Sequence, residues 1–215
     1  LIAVDKKGTP LTKSITWADT RSAPYADIIR ERLNGDQIYM RTGTPVHAMS
    51  PFVKLMWLKE EKGDIFKQTA KFISIKEYIF YKLFGTYIVD YAIASATGLL
   101  NLQTLKWDEE ALSMAGISKE QLSTIVPTTY EIKGLKAPFY EAMGIRQDLP
   151  FIIGASDGVL SNLGVNAIAP GVMALTIGTS GAIRTVTNEP KTEPKGCTFC
   201  YALTDKHLVI GGPVN

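Results

Sequence analysis

The sequence predicts an α/β protein built in two lobes, and three observations carry that reading. Hydrophobic residues fill 46% of the 215 positions, enough for substantial cores. Up to Thr128 the apolar spacing is mainly helical. From Pro150 onward strand, helix, strand and strand alternate. The change of character at Thr128–Gly134 puts a lobe boundary near 145–155, with residues 1–149 in one lobe and 150–215 opening the other.

Taken in order, Leu1–Val4 and Ile15–Ala18 flank the turn residues Lys7-Gly8-Thr9-Pro10 and predict a hairpin. Ser22 caps a helix with apolar positions Tyr25, Ile28, Ile29 and Leu33, stopped at Asn34-Gly35. Ser50-Pro51 opens another helix, an N-cap followed by proline at the first helical position. Phe72–Ile75 predicts a strand and Glu77–Leu83 a helix closed by Gly85. Asp90–Leu102 is rich in small residues and reads as a loop. Trp107–Ala115 and Ser118–Ile125 predict short helices, the second with Ser118 and Gln121 as a capping box. In the second lobe Phe151–Ile153 predicts a buried strand, Gly158–Gly164 a helix, and Val172–Ile177 and Gly181–Val186 strands. Phe199–Leu203 and His207–Ile210 predict a final hairpin.

Composition removes several functions. The formal net charge is +2 with no dense basic stripe, which argues against a nucleic-acid partner. The longest low-charge stretch is broken by Gly, Pro, Asn and Ser, so no membrane span is expected. Two cysteines, Cys197 and Cys200, make no disulfide framework and suit a reducing, cytoplasmic setting. With His207 the only nitrogen ligand nearby, they also make a poor zinc site, and no protein metal site is expected. The chain opens without Met and stops at Gly211-Gly212-Pro213-Val214-Asn215, which reads as a piece of something longer.

Three constellations carry chemistry. Asp157 is the single charged residue between Asp148 and Arg184, and it falls where a helix begins. The helix N-terminus would keep its carboxylate ionised, although a simple helix cap explains an Asp there equally well. Thr176-Ile177-Gly178-Thr179-Ser180-Gly181 runs an apolar strand into a turn whose N–H groups and hydroxyls suit phosphate oxygens, or into an ordinary hairpin. The absence of a lysine after the glycines excludes a P-loop. An isolated Asp and a phosphate-type turn on neighbouring elements together suit phosphoryl transfer. Trp17, Asp19 and Arg21 combine an aromatic ring, an acid and a base, a set that grips a polyol or makes a surface ion pair beside a core Trp. His47 lies just before the Ser50-Pro51 helix start.

These residues resemble a known family. Met49-Ser50-Pro51-Phe52-Val53-Lys54-Leu55-Met56-Trp57-Leu58-Lys59-Glu60-Glu61 fits the first signature of the FGGY carbohydrate kinases at every constrained position. Asp90-Tyr91, Ala94–Gly98 and Trp107–Glu110 resemble its next block. Gly154–Gly158, Pro170-Gly171, Gly178–Gly181 and the terminal Gly211-Gly212 resemble the start of its second lobe. The resemblance covers essentially the whole chain. It implies an actin-like, ribonuclease-H-like two-lobed kinase fold, here incomplete at both ends, with ATP and Mg²⁺ between the lobes. Thr16–Ser22, Arg41–His47, Ile75–Phe80 and Gly154–Ala167 look like the branch that phosphorylates D-gluconate at its 6-hydroxyl.

By that resemblance Asp157 is the catalytic base. Trp17, Asp19, Arg21, His47 and Gly158 bind the sugar acid, with Arg21 and His47 as candidates for its carboxylate. Gly178, Thr179, Ser180, Gly181, Gly211 and Gly212 hold phosphate. The family's opening Asp-x-Gly-Thr-type motif and its adenosine-binding segment are not in this sequence, so these residues alone are expected not to turn over ATP. The partners implied are a small sugar acid and ATP, with homo-oligomer formation left open. A kinase for another polyol or ketose, such as xylulose or glycerol, shares the same Asp and turn. A non-catalytic sugar-binding module on the same fold would have no need of a base.

Overall fold

The first strand, β1 (Ile2–Val4), is wholly buried and pairs antiparallel with β2 (Lys71–Ile73), Ile2 opposite Ile73. The computed structural model describes residues 1–169, 171–178, 181–193 and 195–214. The expected hairpin with Ile15–Ala18 does not form. The returning chain touches β1 through Leu11 N to Ala3 O (2.8 Å) and Ile15 N to Leu1 O (2.8 Å), with a bridge between Val4 and Pro10. Pro10 has no N–H with which to continue a ladder, so the apolar strand finds its partner some seventy residues away.

Helix α1 (Ala23–Arg32) starts after Ser22, but the Ser22 hydroxyl donates to Ala48 O (3.0 Å) instead of capping. Asn34, in the left-handed region, ends that turn and at once begins α2 (Gly35–Thr42), which the sequence reading missed. Gly43 closes α2 at φ 65°, where a Cβ would meet Leu102 Cδ1 at 2.5 Å and the Cys200 backbone at 2.9 Å. Only glycine fits there.

Helix α3 (Pro51–Glu61) begins as expected, with Ser50 Oγ accepting from Val53 N. Every residue from Phe52 to Leu58 is buried, Lys54 included. A helix apolar on all faces belongs in the middle of a core, and α3 lies between α1 and α7 (Glu109–Ala115) in the largest one. A short α4 (Gly63–Gln68) follows, unread in the sequence. α5 (Ile75–Phe84) carries a capping box between Ser74 and Glu77 and stops at Gly85.

The segment expected as a loop from Asp90 to Leu102 is ordered into β3 (Ile88–Asp90), α6 (Tyr91–Ser95) and β4 (Leu100–Asn101). Asp90 is fully buried, accepts from Ala92 N (3.0 Å) and Ile93 N (3.1 Å), and pairs with Lys76 at 2.6 Å. Ala92, Ala94 and Ser95 are small because the helix is closely packed, not because it is a loop. Trp107 lies in β5 (Lys106–Trp107), paired with β4, and α7 starts only after its cap Asp108. The Ser118–Gln121 box closes one 3-10 turn. The last residues of the expected helix, Thr124 and Ile125, lie instead in β6 (Thr124–Val126), parallel to β3.

β7 (Glu131–Ile132), α8 (Ala137–Met143) and β8 (Phe151–Ile152) lead into the second part. β8 pairs only with β7, so Ile152 is 56% exposed rather than buried, while Ile153 is buried as expected. After α9 (Asp157–Gly164) come β9 (Met173–Ile177), β10 (Gly181–Thr187), β11 (Phe199–Ala202) and β12 (Leu208–Val214). They form one antiparallel sheet in the order β11-β12-β10-β9. Val159 of α9 packs on its Val186, Leu203 and Val209, and Cys200 and Ala202 pack on Val89, Ala94 and Leu100. The sheet therefore shares a core with the helical part, and α9 lies across it.

Candidate active site

The Trp17–Arg21 segment is held from below by a buried cation. Lys54 Nζ, on the buried Phe52–Leu58 stretch of α3, donates to Asp19 O (2.8 Å) and to Ala48 O, which also takes the Ser22 hydroxyl. Burial pushes the Lys54 ammonium below its ordinary value, with the Asp19 charge nearby acting the other way. One side chain thus ties the Trp17–Arg21 turn to the His47–Met49 turn. Nothing in the sequence reading singled Lys54 out, because a lysine inside an apolar helix reads as a surface residue.

Asp19 accepts from Arg21 Nε (3.0 Å), Nη2 (2.6 Å) and backbone N (3.1 Å). The Arg21 guanidinium also lies 4.3 Å over the Trp57 ring. The ion pair expected as one alternative is present, and it commits two of the guanidinium nitrogens. Trp17 stands beside it, 75% exposed, at the edge of a cavity of about 230 Å³ also lined by Met49, Lys54, Glu77 and Thr97. Burial raises the Glu77 carboxyl above the usual range.

Hydrogen bonds from Arg21 hold the Asp19 carboxyl down at about 2. A depressed carboxylate contributes stability that is present above the unfolded value and lost as pH falls through the folded one. A carbon-detected NMR titration should therefore find Asp19 titrating at about 2. Arg21→Ala should return it toward the ordinary value of about 3.9. An unchanged titration in that variant would remove Arg21 as the cause.

His47 is exposed, and its Nδ1 accepts from Met49 N (3.2 Å). It lines a different cavity, of about 370 Å³, with Arg30, Tyr39, Cys197, Phe199 and Pro213. Met49 borders both cavities, but the structure does not bring His47 and Arg21 onto one wall. Neither cavity includes Asp157.

Asp157 opens α9. Ser156 stands at the cap position without a side-chain cap bond, and among the described residues Asp157 Oδ1 accepts only from the adjacent Gly158 N (2.7 Å). Helix capping therefore does not account for the residue. Its carboxylate is exposed at the N-terminal end of the helix. α9 packs on β9 and β10, the strands on either side of the Gly178–Gly181 turn. Gly178 and Gly181 lie at that turn, Gly181 opposite Ile177, whereas Thr179 and Ser180 lie outside the described residues, as does Pro170. Gly211 and Gly212 sit in β12, opposite Arg184 and Ile183.

Among the described residues no three His, Cys, Asp or Glu side chains converge on a metal position. Magnesium commonly takes one or two protein carboxylates and completes its shell from phosphates and water, so a three-ligand cage is not what a nucleotide site requires.

The model of the FGGY family of carbohydrate kinases, N-terminal domain, matches residues 1–164. Over 100% of its length the chain is 56% identical to a gluconokinase of Bacillus subtilis (strain 168), covering 42% of that protein. Among solved structures, a gluconate kinase from Lactobacillus acidophilus matches with a TM-score of 0.96 at 45% identity, over 100% of this chain and 44% of that one. A ligand-bound xylulose kinase from the same organism matches equally, with a TM-score of 0.96 at 45% identity and the same coverage. The chain thus spans less than half the length of the relatives it matches. The motifs, the mixed α/β architecture and these matches agree, and the chain belongs to the FGGY family of carbohydrate kinases.

Proposed function

We propose that the full-length protein transfers phosphate from ATP to the 6-hydroxyl of D-gluconate, with Asp157 as general base. The observation that carries the reading is Asp157 itself, an exposed carboxylate at a helix N-terminus that neither caps the helix nor forms an ion pair among the described residues. A carboxylate so placed accepts the hydroxyl proton as the oxygen attacks the terminal phosphoryl group, and ADP departs. The Gly178–Gly181 segment, between the two strands on which α9 packs, is the proposed phosphate cradle, together with Gly211 and Gly212. Trp17 offers a ring to the sugar's C–H face, and the Asp19–Arg21 clamp presents polar edges to its hydroxyls and carboxylate. When bound with ATP, Mg²⁺ would neutralise charge on the phosphates. No step here depends on its position.

Substrate preference rests on the 56% identity to a gluconokinase. The equal structural match to a xylulose kinase keeps that sugar as the second reading. An ADP-coupled assay of the full-length protein should give a kcat/KM for gluconate at least tenfold above that for xylulose; the reverse order would assign the ketose instead. No helix among the described residues is long and apolar enough to cross a membrane. Two cysteines without a disulfide fit the cytoplasm, where ATP is supplied. We place the lobe boundary at 149/150, because the four-stranded sheet is built wholly from residues after it.

A further inference from the structure

Arg184 is a cation set in a slot of small residues. On β10 it shares a face with Val186, which packs with Val159 of α9, so its side chain lies on the helix side of the sheet. Its partner across β12 is Gly211, where a Cβ would meet Arg184 Cα and Cγ at 2.8 Å. Its partner across β9 is Ala174, small and buried. At the far end a Cβ on Gly158 would stand 3.4 Å from Arg184 Nε and Nη2. The guanidinium therefore rests on the first turn of α9, next to Asp157. Asn162, fully buried on the same helix, donates to Arg184 O (3.3 Å) and Ala167 O (3.2 Å), fixing strand against helix at this point.

Such a slot is a demanding way to place an arginine that has no structural partner. Among the described residues no carboxylate forms an ion pair with it. Tyr201 reports the same proximity from β11: burial raises its phenol, the Arg184 charge lowers it, and the Asp157 charge raises it. A half-buried guanidinium left unpaired beside a carboxylate that receives a proton is placed for an anion that arrives with the substrates.

Resting on the reading of Asp157 as the base, we propose that Arg184 is a further catalytic residue that binds the anionic oxygens of the phosphoryl group in transfer. Two anions could meet a cation at this position, the phosphoryl group and the carboxylate of the sugar acid. Asp157 serves the 6-hydroxyl, and the carboxylate is at the other end of the six-carbon chain, so the phosphoryl group is the anion beside it. A fixed guanidinium there stabilises the charge spread over the transferring oxygens.

The test is steady-state kinetics of the full-length protein with gluconate and ATP. Arg184→Gln should lower kcat by about 10²–10³-fold, with both KM values within a few-fold of the parent. Arg184→Lys should keep part of the rate, and millimolar guanidinium chloride should restore part of it to Arg184→Ala. A folded Arg184→Gln within a few-fold of the parent rate would overturn the proposal. So would a tens-fold rise in the gluconate KM at unchanged kcat, which would give Arg184 to the sugar carboxylate. Loss of rate together with a lowered melting temperature and no guanidinium rescue would make the residue structural and equally end the proposal. Should Arg184→Gln fail to fold, Arg184→Lys is read by the same criteria. Failure of the underlying reading shows elsewhere, in a parent enzyme that does not phosphorylate gluconate or in an Asp157→Asn variant that keeps its rate.

Discussion

Asp157→Asn in the full-length protein is expected to lower kcat for gluconate phosphorylation by about 10²–10⁴-fold, the usual contribution of a positioned general base. The fold should survive the change. The carboxylate is exposed and its one hydrogen bond comes from Gly158 N, which an asparagine Oδ1 accepts as well. What is lost structurally is the attraction of a negative charge to the helix N-terminus, about 0.3–1 kcal/mol. A melting temperature close to the parent's, both KM values little changed and a collapsed kcat would together identify a group needed in the transition state. A rate within a few-fold of the parent would end the assignment of Asp157 as base. Ser156→Ala is the matched control: Ser156 makes no cap bond, so both rate and stability should stay near the parent's.

How far the sequence could be read depended on whether the signal was local. Ser50-Pro51 starts a helix because cap and proline act within one turn, and Gly85 ends α5 for the same reason. β1 was placed with the wrong partner because pairing is decided at a distance. Ile15–Ala18 is near in sequence, but Pro10 breaks the ladder and β2 supplies the buried face. Asp90–Leu102 misled because alanines and serines in close packing have the same composition as a loop. At the site, Asp157 stood out as the only charge in a long apolar stretch, while a cap explained it equally until Ser156 proved to occupy that position. Arg184 and Lys54 carried no legible signal. One is defined by the first turn of α9 brought against it from another element, the other by two backbone carbonyls on separate turns.

The neighbouring glycines of β12 should respond to the same substitution in opposite ways. Both were expected to hold phosphate, yet their surroundings differ. A Cβ on Gly211 would lie 2.0 Å from Ile183 O and 2.8 Å from Arg184 Cα, both backbone atoms of the paired strand β10. Backbone cannot turn aside as a side chain does, so Gly211→Ala must push β12 from β10 in the middle of the four-stranded sheet. A cost of about 3 kcal/mol or more is expected, at the upper end of overpacking penalties. It should appear as a lower urea midpoint at unchanged m-value. Catalysis should fall too, since Arg184 moves with its strand. A Cβ on Gly212 would instead meet Cys197 O at 3.5 Å, an ordinary contact, so Gly212→Ala should fold with nearly parental stability. That makes Gly212 the position where a phosphate role can be read without interference. A raised KM for ATP at parental stability would place nucleotide oxygens against its backbone. An unchanged KM would leave Gly212 without a phosphate role and Gly211 explained by the close approach of the β10 backbone.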